Sequence, residues 1–451
     1  MQTRTQLARL GLFDAKVPRY TSYPTAPHFA ADFGPDRFES WIKAVPQGAR
    51  ISLYVHVPFC RRLCWFCACR TQGTKTDSPV AAYLEVLRAE LRMLARTLPG
   101  GVTLSRLHWG GGTPTLLQPD MMRELAAAIF DVAPLAEGGE FSVEIDPNEI
   151  DPKRLDALAE AGMTRASIGV QDFDPKIQEV IGRIQGYEIT RDAVDMIRAR
   201  GIASLNADIL FGLPHQDQAR LTESVQQLLS LSPDRVALYG YAHVPWMAKR
   251  QQMIPSDALP TPEERLELFE TARKLFAWDG YDEIGIDHFA LPSDSMAQAA
   301  RAGTLRRNFQ GYTDDTAEVL IGVGASSISR FPQGYAQNAP ATSAHQKAIR
   351  EGQFSTARGH AFTAEDIWRG RAIEMLMCDF AIDRARLMAE TGVSSACVEQ
   401  VFCDIAGRFG EAVRLTGLGL EIPDEARPLA RMIAREFDAY DLSKAGHSTA
   451  I

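Results

Sequence analysis

The sequence predicts an α/β fold of repeated strand–helix units, preceded by an arm and followed by a mainly helical region. Three observations carry this. From about residue 50 to 290, apolar and β-branched runs alternate with amphipathic segments of helical spacing, the pattern of a parallel sheet that is open or curved into a barrel. Residues 1–45 contain RYTSYPT (19–25) and few periodic apolar positions, which predicts an arm lying over something. From Phe362 onward the periodicity is helical, with a short hairpin expected near LTGLGLEIP (415–423).

The elements follow in order. ISLYVHV (51–57), LSRLHW (104–109), EFSVEID (140–146), TRASIGV (164–170), SLNADIL (204–210), RVALYGY (235–241) and YDEIGID (281–287) read as strands. Leu84, Leu87, Leu91 and Leu94 share one face of a helix that Pro99-Gly100 ends. Thr261-Pro262-Glu263-Glu264 is a capping box opening a helix that carries Leu268, Phe269, Ala272, Leu275 and Phe276. Residues 292–360 are rich in Gly, Gln, Asn, Ser and Arg, with one strongly apolar segment, VLIGVGASSI. The expected division is an arm (1–45), a catalytic domain (46–360) and a helical C-terminal domain (361–451). In such folds ligands bind at the carboxyl ends of the strands.

Composition narrows the function. The 451 residues suffice for two or three domains and a large core. With 45% hydrophobic and 23% charged residues the chain reads as an ordinary soluble globular protein. No apolar run spans a bilayer, and MQTRTQLARLGLFDAK lacks the apolar core of a secretory signal, so a cytoplasmic, reducing location is expected. The net charge of −9 argues against a general nucleic-acid binder. It also requires any highly acidic substrate to be met by a local basic patch.

The chemistry concentrates after the first strand, where Cys60, Cys64 and Cys67 form a C-x₃-C-x₂-C array. Soft thiolates favour iron–sulfur clusters or zinc, and a four-iron cluster normally takes four cysteines. Three ligands therefore leave one iron open to a small molecule. Cys69 could close a Cys₄ site, but one intervening residue is tight for two ligands on a compact core. Structural zinc usually shows two spaced cysteine pairs, whereas Cys378, Cys397 and Cys403 lie far along the chain. A disulfide framework does not suit a large chain without a signal peptide.

Other candidates sit at the strand ends. HWGGGTPT (108–115) offers glycines where backbone can approach a ligand and present N–H groups to an anionic end, although a triple glycine is more often a tight turn. Glu144, Asp146, Gln171, Asp172 and Asp208 end or follow strands. A carboxylate there can bind ribose hydroxyls, while helix capping is the expected role of Asp146 and Asp172. Arg183 would gain a reason to sit in a pocket from a carboxylate ligand. His56, His108 and His288 are expected in the core or behind the site.

Taken together, the cysteine loop and GGGTPT resemble the radical S-adenosylmethionine (SAM) superfamily. RYTSYPT, CWFCAC (64–69), IGVQDFD (168–174), NADILFGLP (206–214), DHFALP (287–292) and NFQGYT (308–313) are similar, over nearly the whole chain, to the oxygen-independent coproporphyrinogen III oxidase family. The resemblance implies an incomplete parallel β/α (radical SAM) barrel with an N-terminal arm and a mainly helical C-terminal domain. It implies one [4Fe–4S] cluster on Cys60, Cys64 and Cys67, and two SAM molecules per active site. Tyr54, Phe66, Gly111, Glu144 and Ile328 would contact the cluster-bound SAM. Gly112, Thr113, Gln171, Arg183, Asp208 and Ala242 would contact the second. Cys69 is a family feature without ligand status, and Ala68 and Arg70 stand where most members carry Gly and Asn. The implied reaction turns two propionates of coproporphyrinogen III into vinyl groups through a SAM-derived 5′-deoxyadenosyl radical, giving protoporphyrinogen IX and CO₂. An unidentified electron donor and acceptor, a monomeric state and no nucleic-acid partner complete the expectation. Arg19, Arg306 and Arg307 are the candidates for the substrate's carboxylates, because they lie in segments that look like lids. The alternatives are a haem-chaperone relative without oxidase activity, another radical SAM enzyme such as a methyltransferase, and a zinc-stabilised binding module.

Overall fold

A computed structural model describes residues 2–441 and residue 450. Its centre is a twelve-stranded mixed sheet. The strands are β1 (Arg50–Val57), β2 (Thr103–Gly111), β3 (Leu135–Ile145), β4 (Arg165–Gln171), β5 (Ser204–Phe211), β6 (Arg235–Gly240), β7 (Asp282–Ile284), β8 (His288–Ala290), β9 (Leu320–Val323), β10 (Ile328–Phe331), β11 (Gly334–Asn338) and β12 (Thr356–Ala361). Their order is β12-β11-β10-β9-β1-β2-β3-β4-β5-β6-β8-β7. The run β9-β1-β2-β3-β4-β5-β6 is parallel, and the flanking strands are antiparallel. The two end strands do not pair with each other, so the barrel stays incomplete.

Side chains on alternate positions of these strands divide between two environments, as strand geometry requires. Phe141, Val143 and Ile145 of β3 are buried in the main core, whereas Ser142 and Glu144 line an internal cavity reached also from β1, β2, β4, β5 and β6. One cavity touched by six neighbouring strands requires a strongly curved sheet. The helix Ser78–Thr97 buries Leu84, Leu87, Leu91 and Leu94 against it, and Thr261 and Glu264 form the expected reciprocal cap on Pro262–Trp278. At the amino end of the barrel, Arg106 and Arg165 both pair with Glu140, at 3.1 and 2.8 Å, and Arg235 pairs with Asp294 at 2.6 Å. Buried charges need such partners, and these form a closed polar floor.

Two expected elements differ. The VLIGVGASSI segment is not one strand: Gly324 at φ +99° and Ser326 at φ +64° reverse the chain between β9 and β10. YDEIGID contributes only the short edge strand β7, because Gly285 at φ +55° turns the chain into the antiparallel strand β8.

Beyond the barrel, Ala364–Asp379, Arg384–Thr391 and Ser395–Phe409 are helices with a separate hydrophobic core that includes Leu376, Phe402, Ile405 and Phe437. The expected hairpin is present as Arg414–Leu415 and Gly419–Glu421, joined by a third strand, Ala381–Asp383. The arm divides between the two cores. Leu7, Leu12, Val17, Tyr20 and Tyr23 join the C-terminal one, while Phe38, Trp41 and Ile42 of the helix Pro35–Lys43 join the barrel. No described helix is long and apolar enough to cross a membrane.

Candidate active site

The cysteine loop leaves the carboxyl end of β1 and is pinched at its base. Phe59–Cys60 pairs with Gln72–Gly73, and Gln72 N–H and Thr74 N–H donate to Pro58 O and Cys60 O at 2.8 and 3.0 Å. Outside contacts fix its crown. Trp65 N–H donates to Ile181 O at 2.9 Å, and Gln251 Nε2 to Phe66 O at 2.7 Å. Cys60, Cys64 and Cys67 are half-buried and Cys69 is exposed. Burial pushes the Cys60 thiol up to about 11 despite hydrogen bonding by Thr113. Hydrogen bonding by Cys69 pulls the Cys67 thiol down, and Cys69 N–H lies 3.4 Å from Cys67 Sγ. Arg183 Nη1 is 3.5 Å from Cys64 Sγ.

This donor set suits an iron–sulfur cluster. It consists of three free thiols on one short loop, with the Arg183 guanidinium beside the Cys64 sulfur and the Cys69 N–H beside the Cys67 sulfur to stabilise thiolate.

Inside the barrel, the register Tyr54↔His108↔Ser142 puts three polar side chains side by side. Tyr54 stacks on His108 with centroids 5.7 Å apart, and its hydroxyl meets His56 Nδ1 at 2.9 Å. His56 Nε2 lies 3.2 Å from Arg70 O, joining the barrel wall to the cysteine loop. His108 Nδ1 meets Ser142 Oγ at 2.5 Å and its Nε2 meets Glu144 Oε1 at 3.2 Å. Burial pushes Glu144 up, but His108 and the Gly111 N–H outweigh it and hold the carboxyl below its usual range. Asp208, bonded by Asn206 Nδ2 at 3.0 Å, is instead pushed up to about 6 by burial. The two carboxyls face one cavity with different proton affinities.

A sequence profile of the radical SAM superfamily matches residues 54–228. The chain is 68% identical, over the full length of both, to an oxygen-independent coproporphyrinogen III oxidase of Paracoccus denitrificans (strain Pd 1222). It is 59% identical, over 98% of each chain, to one from Cereibacter sphaeroides. Among solved structures, the coproporphyrinogen III oxidase from Escherichia coli, titled a radical SAM enzyme, superposes with a TM-score of 0.89 at 33% identity, covering 95% of this chain and all of that one. The chain belongs to the oxygen-independent coproporphyrinogen III oxidase family.

In this oxidase-family chain the strand-end residues are placed as follows. Gly111 and Gly112 do not offer free N–H groups: they donate to Glu144 Oε2 at 3.0 Å and Val57 O at 2.8 Å. A Cβ on Gly112 would press into the Phe59 backbone, so close packing of β2 on the cysteine strand is what requires glycine. Arg183 spans the seam between the loop and β4, donating from Nη2 to Gly169 O at 2.9 Å. Gln171 ends β4 at φ +70°. Ala242 follows β6 and accepts from Gln251 at 3.0 Å, and Ile328 opens β10 half-buried. Asp146 caps the turn Pro147–Glu149 as expected. Asp172 does not cap a helix. It is fully buried, accepts from Gln216 Nε2 at 2.7 Å and Ser224 Oγ at 2.8 Å, and leaves the capping of Pro175–Val180 to Asp174.

Of the three arginine candidates, Arg19 and Arg307 come together. Arg307 Nη2 donates to Arg19 O at 3.3 Å, its guanidinium lies 4.3 Å from the Tyr312 ring centre, and its Nη1 is 3.9 Å from Asp287 Oδ1. Arg307 is 8% exposed, yet its Nε and Nη1 have no hydrogen-bond partner among the described residues. Arg306 points elsewhere, to Glu374 Oε2 at 3.3 Å on the helix Ala364–Asp379. Burial pushes Asp287 up, but Arg307 and His288 bring it down to about 2. Sequence reasoning missed Tyr239, which lines the barrel cavity, and Arg265 and Arg431, which share a second cavity with Arg19 and Asp287. Arg431 also grips the arm, donating to Val17 O at 2.5 Å and Pro18 O at 3.1 Å. No local motif marks any of the three.

Proposed function

We propose that this chain carries out the oxygen-independent conversion of coproporphyrinogen III to protoporphyrinogen IX in porphyrin and haem biosynthesis, releasing two CO₂. The 68% identity to a coproporphyrinogen oxidase along the entire chain carries this reading. In it, Cys60, Cys64 and Cys67 hold one [4Fe–4S] cluster. Tyr54, Phe66, Gly111, Glu144 and Ile328 contact a SAM at that cluster, and Gly112, Thr113, Gln171, Arg183, Asp208 and Ala242 a second SAM. Support comes from the common cavity of Glu144 and Asp208 and from Arg183, whose guanidinium reaches from the loop to β4. When bound, the cluster and SAM supply an adenosyl radical able to take a hydrogen atom from an unactivated carbon.

The chain's residues provide the surroundings. Each propionate loses a β-hydrogen atom, CO₂ and one electron, so it must be positioned and kept from water. The hairpin Arg306–Asn308/Gly311–Thr313 covers the barrel cavity. It is anchored by Tyr312, whose hydroxyl donates to Met377 O at 2.6 Å and accepts from Ile286 N–H at 3.0 Å. Arg19 and Arg307 receive substrate carboxylates, which fits the unpartnered N–H groups of Arg307 and the strength of charge-assisted hydrogen bonds. Asp287 stays ionised beside Arg307, and the Arg19 guanidinium is held by Gly240 O at 2.5 Å. Residues 1–45 act as the arm, 46–360 as the catalytic domain and 361–451 as the helical domain. The protein works as a cytoplasmic monomer, with an electron donor and an acceptor yet to be identified.

The test is an anaerobic assay with reconstituted cluster, SAM, dithionite and coproporphyrinogen III. Protoporphyrin, after oxidation, and 5′-deoxyadenosine are both expected. Tight haem binding without either product would overturn the reading in favour of a haem-chaperone relative.

A further inference from the structure

At the rim of the barrel, past the carboxyl ends of β1, β6 and β11, the cysteine loop forms one wall of a surface cleft of about 550 Å³. Its opposite wall is the segment after β6, including Met247, Lys249 and Arg250. Arg70, Lys249 and Arg250 line the cleft, and among the described residues no carboxylate does. The bias extends beyond it. Around it Arg62 and Lys75 add positive charge, while Arg61 is ion-paired with Asp77 and Asp257 lies just past the second wall, in a chain whose net charge is −9.

The same segment exposes large apolar side chains. Trp246, Met247 and Met253 are 60%, 66% and 59% exposed. They stand on a fixed support: Arg250 Nη2 donates to Thr71 Oγ1 at 3.0 Å and Cys69 O at 3.2 Å, and the buried Gln251 donates to Phe66 O at 2.7 Å. The segment is thereby tied to the crown of the cysteine loop. Aromatic and methionine side chains with a cationic rim match the composition of protein-binding surfaces, and methionine adapts to a partner's shape.

We propose that this cleft docks an acidic one-electron carrier protein, with a flavin or iron–sulfur centre, that reduces the cluster. This rests on the reading of Cys60, Cys64 and Cys67 as cluster ligands. In the step, the carrier's reduced centre is oxidised by one electron and the cluster is reduced by one, with no bond made or broken and no proton moved. Charge decides the partner's sign. A local positive face on a negative protein attracts an acidic surface to this site, while the rest of the molecule repels it.

The experiment uses the full chain with reconstituted cluster and a purified acidic flavodoxin as probe. Binding is measured by titration at low and high salt, and cluster reduction by anaerobic stopped-flow absorbance with either the reduced flavodoxin or dithionite. The wild type is expected to bind at low salt and weaken as salt rises. The double variant Arg70→Glu/Lys249→Glu should weaken binding and slow flavodoxin-driven reduction by about tenfold or more. Its reduction by dithionite and its iron content should stay unchanged. Trp246→Ser should weaken binding without altering the salt response. Unchanged binding in the double variant, an equal slowing with dithionite, or displacement of flavodoxin by coproporphyrinogen III would each overturn the proposal. A wild-type chromophore that dithionite cannot bleach would sink the cluster reading instead, and the binding titration would still decide the docking surface.

Discussion

Gly111 donates its backbone N–H to the Glu144 carboxylate at 3.0 Å, so the glycine turn after β2 braces the acid that ends β3. Gly111 sits at φ +111°, and a Cβ there would strike the His56 ring. Gly111→Ala combines a disfavoured backbone with that clash and is expected to destabilise the fold by roughly 1–3 kcal/mol. Urea unfolding checks the cost. SAM titration of the reconstituted protein should show weakened binding, since both Glu144 and His56 must shift.

Cys69→Ser is expected to retain the wild-type iron and sulfide content, whereas Ser at Cys60, Cys64 or Cys67 loses most of it. Cys69 presents its backbone N–H to Cys67 Sγ, and serine preserves that donor. Loss of iron in the Cys69 variant would make it a ligand.

Arg19→Ala and Arg307→Ala should each weaken coproporphyrinogen binding by roughly tenfold to a hundredfold, the range of about 1.5–3 kcal/mol for a hydrogen bond to a charged group. Arg306→Ala should change it little, because that side chain is engaged by Glu374. Equilibrium binding under anaerobic conditions separates them. Wild-type affinity in Arg307→Ala would remove it from the substrate site.

Glu90 offers a pH test away from the site. Its carboxyl accepts from Gly324 N–H and Asn338 Nδ2, both at 2.8 Å, with His345 Nε2 3.5 Å away. Burial raises it from 4.5 to about 8, while burial drives His345 down to about 4, leaving no cation to offset a charged Glu90. The folded state therefore holds a proton that the unfolded chain releases near pH 4.5. Glu90's contribution is complete below that pH and falls as pH rises to about 8, by up to about 1.4 kcal/mol per pH unit. Below about pH 6.5 the lowered His345 gives the opposite slope and offsets Glu90, so Glu90→Gln should flatten the decline in stability between pH 6.5 and 8, whatever its cost at one pH. Parallel slopes in urea unfolding would contradict this.

Local chemistry made much of this protein legible. Strand alternation and the Thr261–Glu264 cap depend on neighbours a few residues apart, and both were found where the sequence placed them. Asp172 shows the limit. Its position after a strand suggested a helix cap, but Gln216 and Ser224, from the loop after β5 and the helix that follows it, make it a buried hub. Arg431 likewise carries no motif, and only the return of the C-terminal region onto the arm gives it Val17 and Pro18 to hold.

By itself, then, the sequence determined the kind of chemistry and the strand–helix rhythm, because both are encoded at short range by residue type and period. The tertiary structure decided which charges meet. Arg307 joined Arg19 and Asp287 while its neighbour Arg306 turned to Glu374, since adjacent residues of a strand point to opposite faces and only the packing of the hairpin between barrel and helix sets what each face finds.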